Sequence, residues 1–512
     1  MESRTFRSLK NSKVALIFYF INLVLQFFSR KVFLKFLGSE LLGLNTTAQN
    51  LLGFLNLAEL GVGTAVAYSL YRPLFYHDKE TISEIVSVQG WLYRRIAFIV
   101  VIGSSILMCF FPAIFAKAKV SLWYAYGSFI VLLFSSLLGY FANFRQVLLS
   151  ADQKEYKITI TTQGVKVIKV IIQIIAISLF PNGYVWWMIL EVMFAILTSI
   201  LLNRTINKEY PWLISKVNEG KNINKKYPEI ILKTKQLFFH KIGSFVLTQT
   251  SSLIIYAYAS LTMVAIYGNY MLIVSGLMVL VNSLLNGISA GVGNMVAEGN
   301  KLKIINFFWE LTSLRFWMGA TICFTFFMLG HPFISLWLGK EYIMPATSFS
   351  ILTIITFIQL TRTNDTFLSA FGMFQDIWAP IAEAFLNIGL SILFGYLWGL
   401  SGILSGVLVS LLIIVCCWKP YFLFRSGFKE CPSKYFFRFT KYILILTLVF
   451  FGCQEILDPI IQKYAITWFG WVICAISAIL LYGVCSLIIL WFTDIYSKLF
   501  VKRLVSIISG KH

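Results

Sequence analysis

Long apolar stretches constrain this chain more than any other feature of its sequence. The 512 residues are 58% hydrophobic and 13% charged, with a mean hydropathy of +0.78, which is typical of multi-spanning membrane proteins and not of soluble domains. A helix that crosses a bilayer needs about 20 mostly apolar residues, and about fourteen such stretches can be recognised. We therefore predict an all-α polytopic membrane protein and exclude a soluble enzyme.

The predicted spans form two groups, separated by a hydrophilic stretch. Those before it are Ser12–Phe36, Gly43–Leu70, Ile85–Phe111, Leu122–Leu149, Ile158–Leu179 and Tyr184–Leu202. Those after it are Leu237–Ala259, Val264–Val296, Ile305–Leu329, Ala346–Phe371, Trp378–Trp398, Ser401–Cys417, Lys441–Leu457 and Trp468–Phe492.

The hydrophilic stretch, residues 204–236, is rich in Lys, Asn and Glu and predicts a linker between two membrane lobes. The predicted N-lobe is 1–203, the C-lobe is 237–430, and residues 431–512 add two spans and a basic tail. Each lobe contains a similar heptapeptide near the end of its second span, Gly61–Ala67 and Gly291–Ala297. This favours an internal duplication, although such small residues also suit close helix packing in membranes.

The distribution of Lys and Arg predicts the orientation, because positively charged loops stay on the cytoplasmic side. It places both termini in the cytoplasm and explains most of the net charge of +21, so no nucleic-acid partner is expected. We read the first apolar run as a retained span and not a cleaved signal. The eight Cys fall mostly inside spans without a CxxC pair, which indicates buried thiols.

Ionisable residues inside the apolar spans are the candidate functional residues. A charge near the bilayer centre costs about 2.5–3.5 kcal/mol, so each needs a partner, water or a charged ligand. The cations are Arg145, Lys166, Lys169, Lys241, Arg315 and Arg362. The carboxylates are Glu59, Glu191, Asp365 and Glu383. Because cations outnumber carboxylates, a cavity lined by these residues should favour an anion.

Less specific roles are open for several of the cations. Lys166 and Lys169 are three residues apart and share one helix face, but both lie near a helix start from which a long side chain can reach the interface. Arg145 is one turn from the end of its predicted span and has the same alternative. These three residues could therefore be interfacial and have no ligand.

The carboxylates divide in the same way. Asp365 is three residues from Arg362, so the two side chains could simply pair with each other. Glu59, Glu191 and Glu383 are too deep in their spans to reach water. A protonated side chain or an ion-pair partner is expected for them, and proton coupling is a natural use of such groups.

The sequence lacks the motifs of several enzyme classes. No phosphate-binding loop and no nucleophile motif is present, and the four His are too far apart to bind one metal ion. We therefore expect neither catalysis nor a cofactor nor a metal site.

Several stretches resemble the polysaccharide transporter family, the Wzx-type flippases of the multidrug/oligosaccharidyl-lipid/polysaccharide (MOP) exporter superfamily. The main ones are Phe28–Leu44 (FSRKVFLKFLGSELLGL) and Leu57–Ala67 (LAELGVGTAVA). Shorter ones are Ser150–Gln153, His240–Gly243, Tyr267–Tyr270, Gly293–Asn294, Pro332–Gly339 and Ala370–Gly372. The similarity extends over nearly the whole chain.

This resemblance implies two six-helix bundles around a V-shaped, alternating-access cavity, with two extra C-terminal spans. It implies transport of an undecaprenyl-diphosphate-linked oligosaccharide to the outer leaflet of the bacterial inner membrane, for O-antigen, capsule or exopolysaccharide assembly. The implied partners are this substrate, membrane lipids and other polysaccharide-assembly proteins. Relatives have a cationic lumen, and that role would fall here to Arg30, Arg145, Lys166, Lys169, Lys241, Arg315 and Arg362.

Two other functions compete with this interpretation. A drug or cation exporter of the same superfamily should have an acidic cavity, which the excess of Arg and Lys disfavours. A membrane polysaccharide polymerase or ligase needs a sizeable external loop for its catalytic groups, whereas the one long loop predicted here is basic and cytoplasmic.

Overall fold

Helices form wherever the sequence predicts a membrane span, because a helix satisfies its backbone hydrogen bonds internally and lipid offers no alternative partner. The computed structural model describes residues 4–59, 61–373, 376 and 378–508. Within these ranges every regular element is a helix, and ten helices are long and apolar enough to cross a membrane. The predicted all-α polytopic fold is therefore confirmed.

The chain divides into two compact units, Met1–Ala265 and Ile266–His512. The first unit contains α1 (Arg4–Leu55), α2 (Val62–Tyr76), α3 (Lys79–Cys109), α4 (Phe111–Ile114), α5 (Leu122–Phe141), α6 (Val147–Ala151), α7 (Glu155–Leu179), α8 (Gly183–Glu209), α9 (Gly220–Ile223) and α10 (Pro228–Tyr258). Short 3₁₀ turns lie at Asn56–Glu59, Phe144–Gln146, Val217–Glu219 and Asn224–Lys226.

Helix α11 (Leu261–Glu298) begins just before the boundary between the units. The remaining helices of the second unit are α12 (Lys301–Trp337), α13 (Ala346–Leu360), α14 (Thr363–Ala370), α15 (Trp378–Leu411), α16 (Lys419–Phe422), α17 (Ser433–Tyr464), α18 (Trp468–Thr493) and α19 (Ile495–Ile508). A 3₁₀ turn lies at Lys340–Tyr342, and π-helical segments at Leu412–Trp418 and Leu423–Phe428 flank α16.

Glycines with left-handed backbone angles interrupt two of the long helices. The φ angle is 81° at Gly38 in α1 and 56° at Gly399 in α15. The apolar segment that begins with α15 therefore contains two predicted spans, whereas α1 contains Ser12–Phe36 and only residues 43–55 of Gly43–Leu70. Counted by overlap, the ten helices coincide with twelve of the predicted spans. The other two lie in α10 and in α13 with α14.

The two halves of α15 pack closely against each other. A Cβ atom at Gly402 would lie 1.9 Å from the carbonyl oxygen of Phe394, and one at Gly406 would lie 2.3 Å from the backbone nitrogen of Ser391. Only glycine lacks the Cβ atom that would prevent this approach. The small residues that follow Gly399 thus form a tight helical hairpin.

The two similar heptapeptides have different backbones. Gly61 has a φ of 96° and follows the 3₁₀ turn Asn56–Glu59, so it breaks the predicted span Gly43–Leu70. Gly291 lies inside the continuous helix α11. Similar sequence in the two copies therefore does not produce the same break.

The predicted linker, residues 204–236, belongs to the first unit and packs against α3. The Glu84 carboxylate of α3 is 2.5 Å from the Lys226 ammonium and accepts a 2.6 Å hydrogen bond from the Tyr227 hydroxyl. The Lys216 backbone N–H donates to the Ser87 hydroxyl at 2.8 Å. This segment is thus held to α3 at Lys216, Lys226 and Tyr227; the division into lobes around it stays a prediction.

A buried aromatic cluster fixes the helices around the charged residues of the second unit. The Phe308 ring of α12 is fully buried, and its centroid lies 5.1 Å from Phe367 of α14. It lies 5.5 Å from Phe424 and 5.2 Å from Phe428, both in the second π-helical segment. These contacts hold α12, α14 and the chain after α16 in one place.

Candidate functional site

The second unit brings Arg362, Asp365 and Glu383 together. Arg362 lies where the helix breaks between α13 and α14, and its Nε is 3.0 Å from an Asp365 carboxylate oxygen. Its second terminal nitrogen is 3.7 Å from Glu383 of α15, a residue that is 3% exposed. The simple Arg362–Asp365 pair that the sequence allowed is therefore present, as part of a larger cluster.

Lys419 belongs to this cluster and was missed by the sequence analysis. Its ammonium lies 2.7 Å from the other Asp365 carboxylate oxygen. Lys419 lies just after the predicted span Ser401–Cys417, so the predicted topology places it in a cytoplasmic basic segment and not inside a span. Two π-helical segments flank Lys419 in the structure, and such segments often occur at functional sites.

Glu383 and Asn387 present unsatisfied polar groups one turn apart on α15. Asn387 is 1% exposed, and neither its side-chain oxygen nor its nitrogen has a hydrogen-bond partner among the described residues. One Glu383 carboxylate oxygen also lacks a hydrogen bond within the described part of the chain. Asn387 was missed, although its four-residue spacing from Glu383 inside an apolar run was a usable signal.

Arg315 has neutral partners. Its guanidinium donates to the Arg362 carbonyl at 3.2 Å and to the Thr366 hydroxyl at 3.3 Å. No carboxylate of the described residues lies within ion-pair distance of it. With Arg315, Arg362 and Lys419 against Asp365 and Glu383, the cluster has three cations and two carboxylates, a formal excess of +1 when all are ionised.

The first unit contains an ion pair between two of the predicted residues, whose pairing the sequence did not predict. The Lys169 ammonium of α7 lies 2.6 Å from the Glu191 carboxylate of α8, with exposures of 19% and 14%. Gln173 donates to the other Glu191 oxygen at 3.1 Å. Lys169 therefore bonds inward and does not need the interface. Lys166, one turn earlier on α7, is half-buried and adds a second cation beside one carboxylate.

The Arg145 guanidinium donates hydrogen bonds to two amide side chains. It lies in the 3₁₀ turn after α5 and donates to Asn203 at 2.7 Å and to Asn207 at 3.0 Å, both on α8. Within the described part of the chain no carboxylate is close enough to pair with it. The guanidinium keeps its charge uncompensated, which suits an anionic ligand.

The other predicted residues lie elsewhere. Glu59, at the end of the 3₁₀ turn, accepts a 2.9 Å hydrogen bond from the Tyr93 hydroxyl. Arg30 of α1 donates to the Ala265 carbonyl at 3.3 Å. The Lys241 side chain lies outside the described residues. The structure thus gathers one cluster in each unit and leaves Glu59, Arg30 and Arg145 as separate sites.

Comparison with known proteins gives similarity of structure only. No family model matches the sequence, and no curated protein sequence matches it either. The lipid II flippase MurJ in its inward closed conformation is similar over 93% of this chain and 98% of that chain, with a TM-score of 0.66 and 17% sequence identity. An inward-facing multidrug resistance MATE family transporter of the MOP superfamily is similar over 80% of this chain and 96% of that chain, with a TM-score of 0.58 and 13% identity. At these identities the likeness establishes the fold: the chain is a multi-pass membrane protein with the fold of MOP-type transporters.

Proposed function

We propose that this protein is a flippase for an undecaprenyl-diphosphate-linked oligosaccharide. It moves the lipid-linked unit from the cytoplasmic to the outer leaflet of the bacterial inner membrane, for O-antigen, capsule or exopolysaccharide assembly. Both termini are cytoplasmic, and the substrate passes a cationic cavity by alternating access. The specific family, the polysaccharide transporters, comes from the sequence resemblance described above.

The observation that carries the proposal is the excess of cations over carboxylates among the ionisable residues in and beside the spanning helices. Arg145 and Arg315 have only neutral hydrogen-bond partners among the described residues. An uncompensated guanidinium within an apolar span is costly and is retained where it meets water or an anion. A diphosphate offers pairs of oxygen atoms that can accept the two parallel N–H hydrogen bonds of an Arg guanidinium.

The membrane potential favours the same direction. A diphosphate carries about two negative charges. When the cell interior is at about −100 mV, its outward movement is favoured by about 2.3 kcal/mol per charge. The protein then has to lower the barrier and not to supply the energy. Cations replace the water around the diphosphate, polar side chains receive the sugars, and the polyprenyl tail stays in lipid.

The cluster in the second unit provides a way to release the anion. Arg362 and Lys419 already share Asp365, so a diphosphate can replace this carboxylate as their partner and be replaced by it again. Proton exchange on Glu59, Glu191, Asp365 or Glu383 is a candidate coupling reaction for resetting the transporter. No cofactor enters this scheme.

A drug exporter of the same superfamily is the second candidate, and the fold shared with a MATE transporter favours it. Such a protein would bind cations, so its rate should fall when Glu383 is neutralised and be insensitive to neutralising Arg145. A polymerase or ligase is the third candidate; both solved structures reported above are of transport proteins and not of enzymes.

The test places the full-length protein in liposomes with a fluorescent undecaprenyl-diphosphate oligosaccharide in one leaflet and follows its transfer to the other. We compare wild type with Arg145→Gln and Arg145→Lys. Arg94→Gln is the matched control, because Arg94 also donates to an Asn side chain, Asn218 at 2.7 Å, but at an exposed site.

Flipping by wild type and the control, with a loss of tenfold or more in Arg145→Gln, would support a cationic binding site. Arg145→Lys should be intermediate because it keeps the charge and loses the two parallel N–H donors. Absence of flipping across several glycans, with an imposed potential and pH gradient, would refute the proposed function.

A further inference from the structure

A cavity outside the charged clusters lies at the start of α3. Its volume is about 540 Å³, and its walls are the first turns of α3 and residues 212–226 of the docked segment. Lys79, Glu80 and Ser83 face Trp212, Lys216 and Glu219 across it. All of these residues belong to the first unit, and the proposed transport function does not use them.

The charges around the cavity balance. Three ammonium groups, Lys79, Lys216 and Lys226, and three carboxylates, Glu80, Glu84 and Glu219, give a formal sum of zero. Such a lining disfavours a ligand with a large net charge and suits one that carries both signs.

Two of these charges are open to a ligand. Lys226 and Glu84 are paired at 2.5 Å, and Lys216 with Glu219 forms a loose, exposed pair at 3.8 Å. In the part of the chain that the structure describes, neither Lys79 nor Glu80 has an ion-pair partner. The cavity therefore offers one ammonium group and one carboxylate that have no ion-pair partner among the described residues.

An aromatic ring lies next to the Lys79 ammonium group. The Lys79 ammonium is 5.7 Å from the centroid of the Trp212 ring, which also lines the cavity. An indole face attracts ammonium groups, including those of ligands. The Trp212 ring and the Glu80 carboxylate are therefore the groups of the cavity that suit the ammonium group of a ligand.

The cavity lies where lipid headgroups are expected. Helix α3 starts at Lys79 and continues as an apolar, membrane-spanning helix. Beside it, Phe75 and Tyr76 at the end of α2 are 62% and 66% exposed, and Ile214 at the cavity is 67% exposed. Tyr76 lies three residues before the start of the spanning helix α3, and exposed Tyr and Trp residues beside the ends of spanning helices are typical of the membrane interface.

We propose that this cavity binds the headgroup of an ethanolamine phospholipid. The phosphate lies against Lys79 and Lys216, and the primary ammonium donates to Glu80 and Glu219 beside the Trp212 ring. The acyl chains leave past Ile214 into the bilayer. The lipid thus bridges α3 and the docked segment.

The chemistry predicts a specific order of preference. A primary ammonium has three hydrogen-bond donors for the carboxylates, whereas choline has none and phosphatidylglycerol has no cation. One charge-assisted hydrogen bond corresponds to a preference of about tenfold or more. The expected order is ethanolamine, then choline, then glycerol.

The test titrates the purified full-length protein in detergent with water-soluble dihexanoyl-phosphatidylethanolamine, -phosphatidylcholine and -phosphatidylglycerol, and with free O-phosphoethanolamine. Binding is followed by microscale thermophoresis. The variants are Glu80→Gln, Lys79→Gln and Trp212→Leu. Lys303→Gln is the control, because Lys303, like Lys79, is an exposed lysine in the first turn of a long helix, but it lies in the second unit and pairs with Glu298.

Preference of about tenfold for the ethanolamine lipid over the choline lipid, abolished by Glu80→Gln and kept by the control, would support the proposal. Lys79→Gln should weaken all three lipids. Equal binding of the three lipids, or binding unchanged in all three cavity variants, would overturn it. Free O-phosphoethanolamine that binds as tightly as the lipid would overturn the assignment to a lipid. Three separate variants ensure that one misfolded protein does not decide the result.

Discussion

The Lys419 ammonium lies 2.7 Å from the Asp365 carboxylate, whose other oxygen is 3.0 Å from Arg362 Nε. One carboxylate thus holds two cations from different elements, since Arg362 lies between α13 and α14 and Lys419 begins α16. Arg362 also lies 3.7 Å from Glu383, whereas Lys419 has only its share of the Asp365 charge among the described residues. This arrangement keeps Arg362 and Lys419 in position, as the proposed anion site requires.

A double-mutant cycle on this pair tests that arrangement. We expect Lys419→Met and Asp365→Asn each to lower the melting temperature in detergent, with a coupling energy of about 1–2 kcal/mol because both groups are partly buried. Lys419→Met should also slow flipping, whereas Lys301→Met, at an exposed pair with Glu430, should not. Additive effects of the two substitutions would show that the contact is not energetically significant.

Breaking the Lys169–Glu191 pair should be asymmetric. Each single substitution, Lys169→Met or Glu191→Gln, leaves a half-buried charge without its partner and should destabilise the protein by about 3 kcal/mol. The double variant should recover most of this loss. For transport we expect Glu191→Gln to retain the anionic substrate better than Lys169→Met, and the reverse order would favour a cation exporter.

The hairpin in α15 should not tolerate a side chain at its contact points. Gly402→Ala places a Cβ atom 1.9 Å from the Phe394 carbonyl oxygen and should cost about 1–3 kcal/mol or prevent folding. Gly389→Ala, where a Cβ atom meets nothing within 4 Å in the same helix, is the control. Yield and melting temperature measure both, and equal values would contradict the hairpin.

The docking of residues 204–236 should depend on pH in the alkaline range. Burial, followed by the hydrogen bond to Glu84, raises the pKa of Tyr227 to about 12 from an ordinary value of 10.0. The hydrogen bond to Glu84 also raises the pKa of Lys226. Because both folded-state values are raised, the stabilisation is complete below about pH 10 and is lost as the pH rises through about 12.

The measurement is the melting temperature of wild type and Tyr227→Phe from pH 6 to pH 12. The two should differ by a constant amount up to about pH 10 and converge above it. Tyr126→Phe, which loses a hydrogen bond to the Met108 carbonyl, is the control. A difference between wild type and Tyr227→Phe that grows with pH would contradict this role of the Tyr227 hydroxyl.

The sequence by itself determined the class of fold and the candidate charges. Apolar stretches of about 20 residues can only be helices in lipid, so every predicted span overlaps a helix, although a break at Gly61 interrupts Gly43–Leu70. Charged residues are conspicuous in such stretches, which is why Arg145, Arg315 and Arg362 could be selected without a structure.

The tertiary structure decided the partners of those charges. Lys419 was predicted to lie in a cytoplasmic basic segment. Its ion pair with Asp365 was not predicted, because the π-helical segment before it and the aromatic contacts near it belong to a packing of residues far apart in the sequence. The basic stretch around Lys226 was predicted to be a linker, and its docking was not predicted, because it depends on contacts with Glu84 and Ser87 in another helix. Hydrophobicity is a local property that can be read along a chain, whereas an ion pair needs two distant segments to meet at a few ångströms.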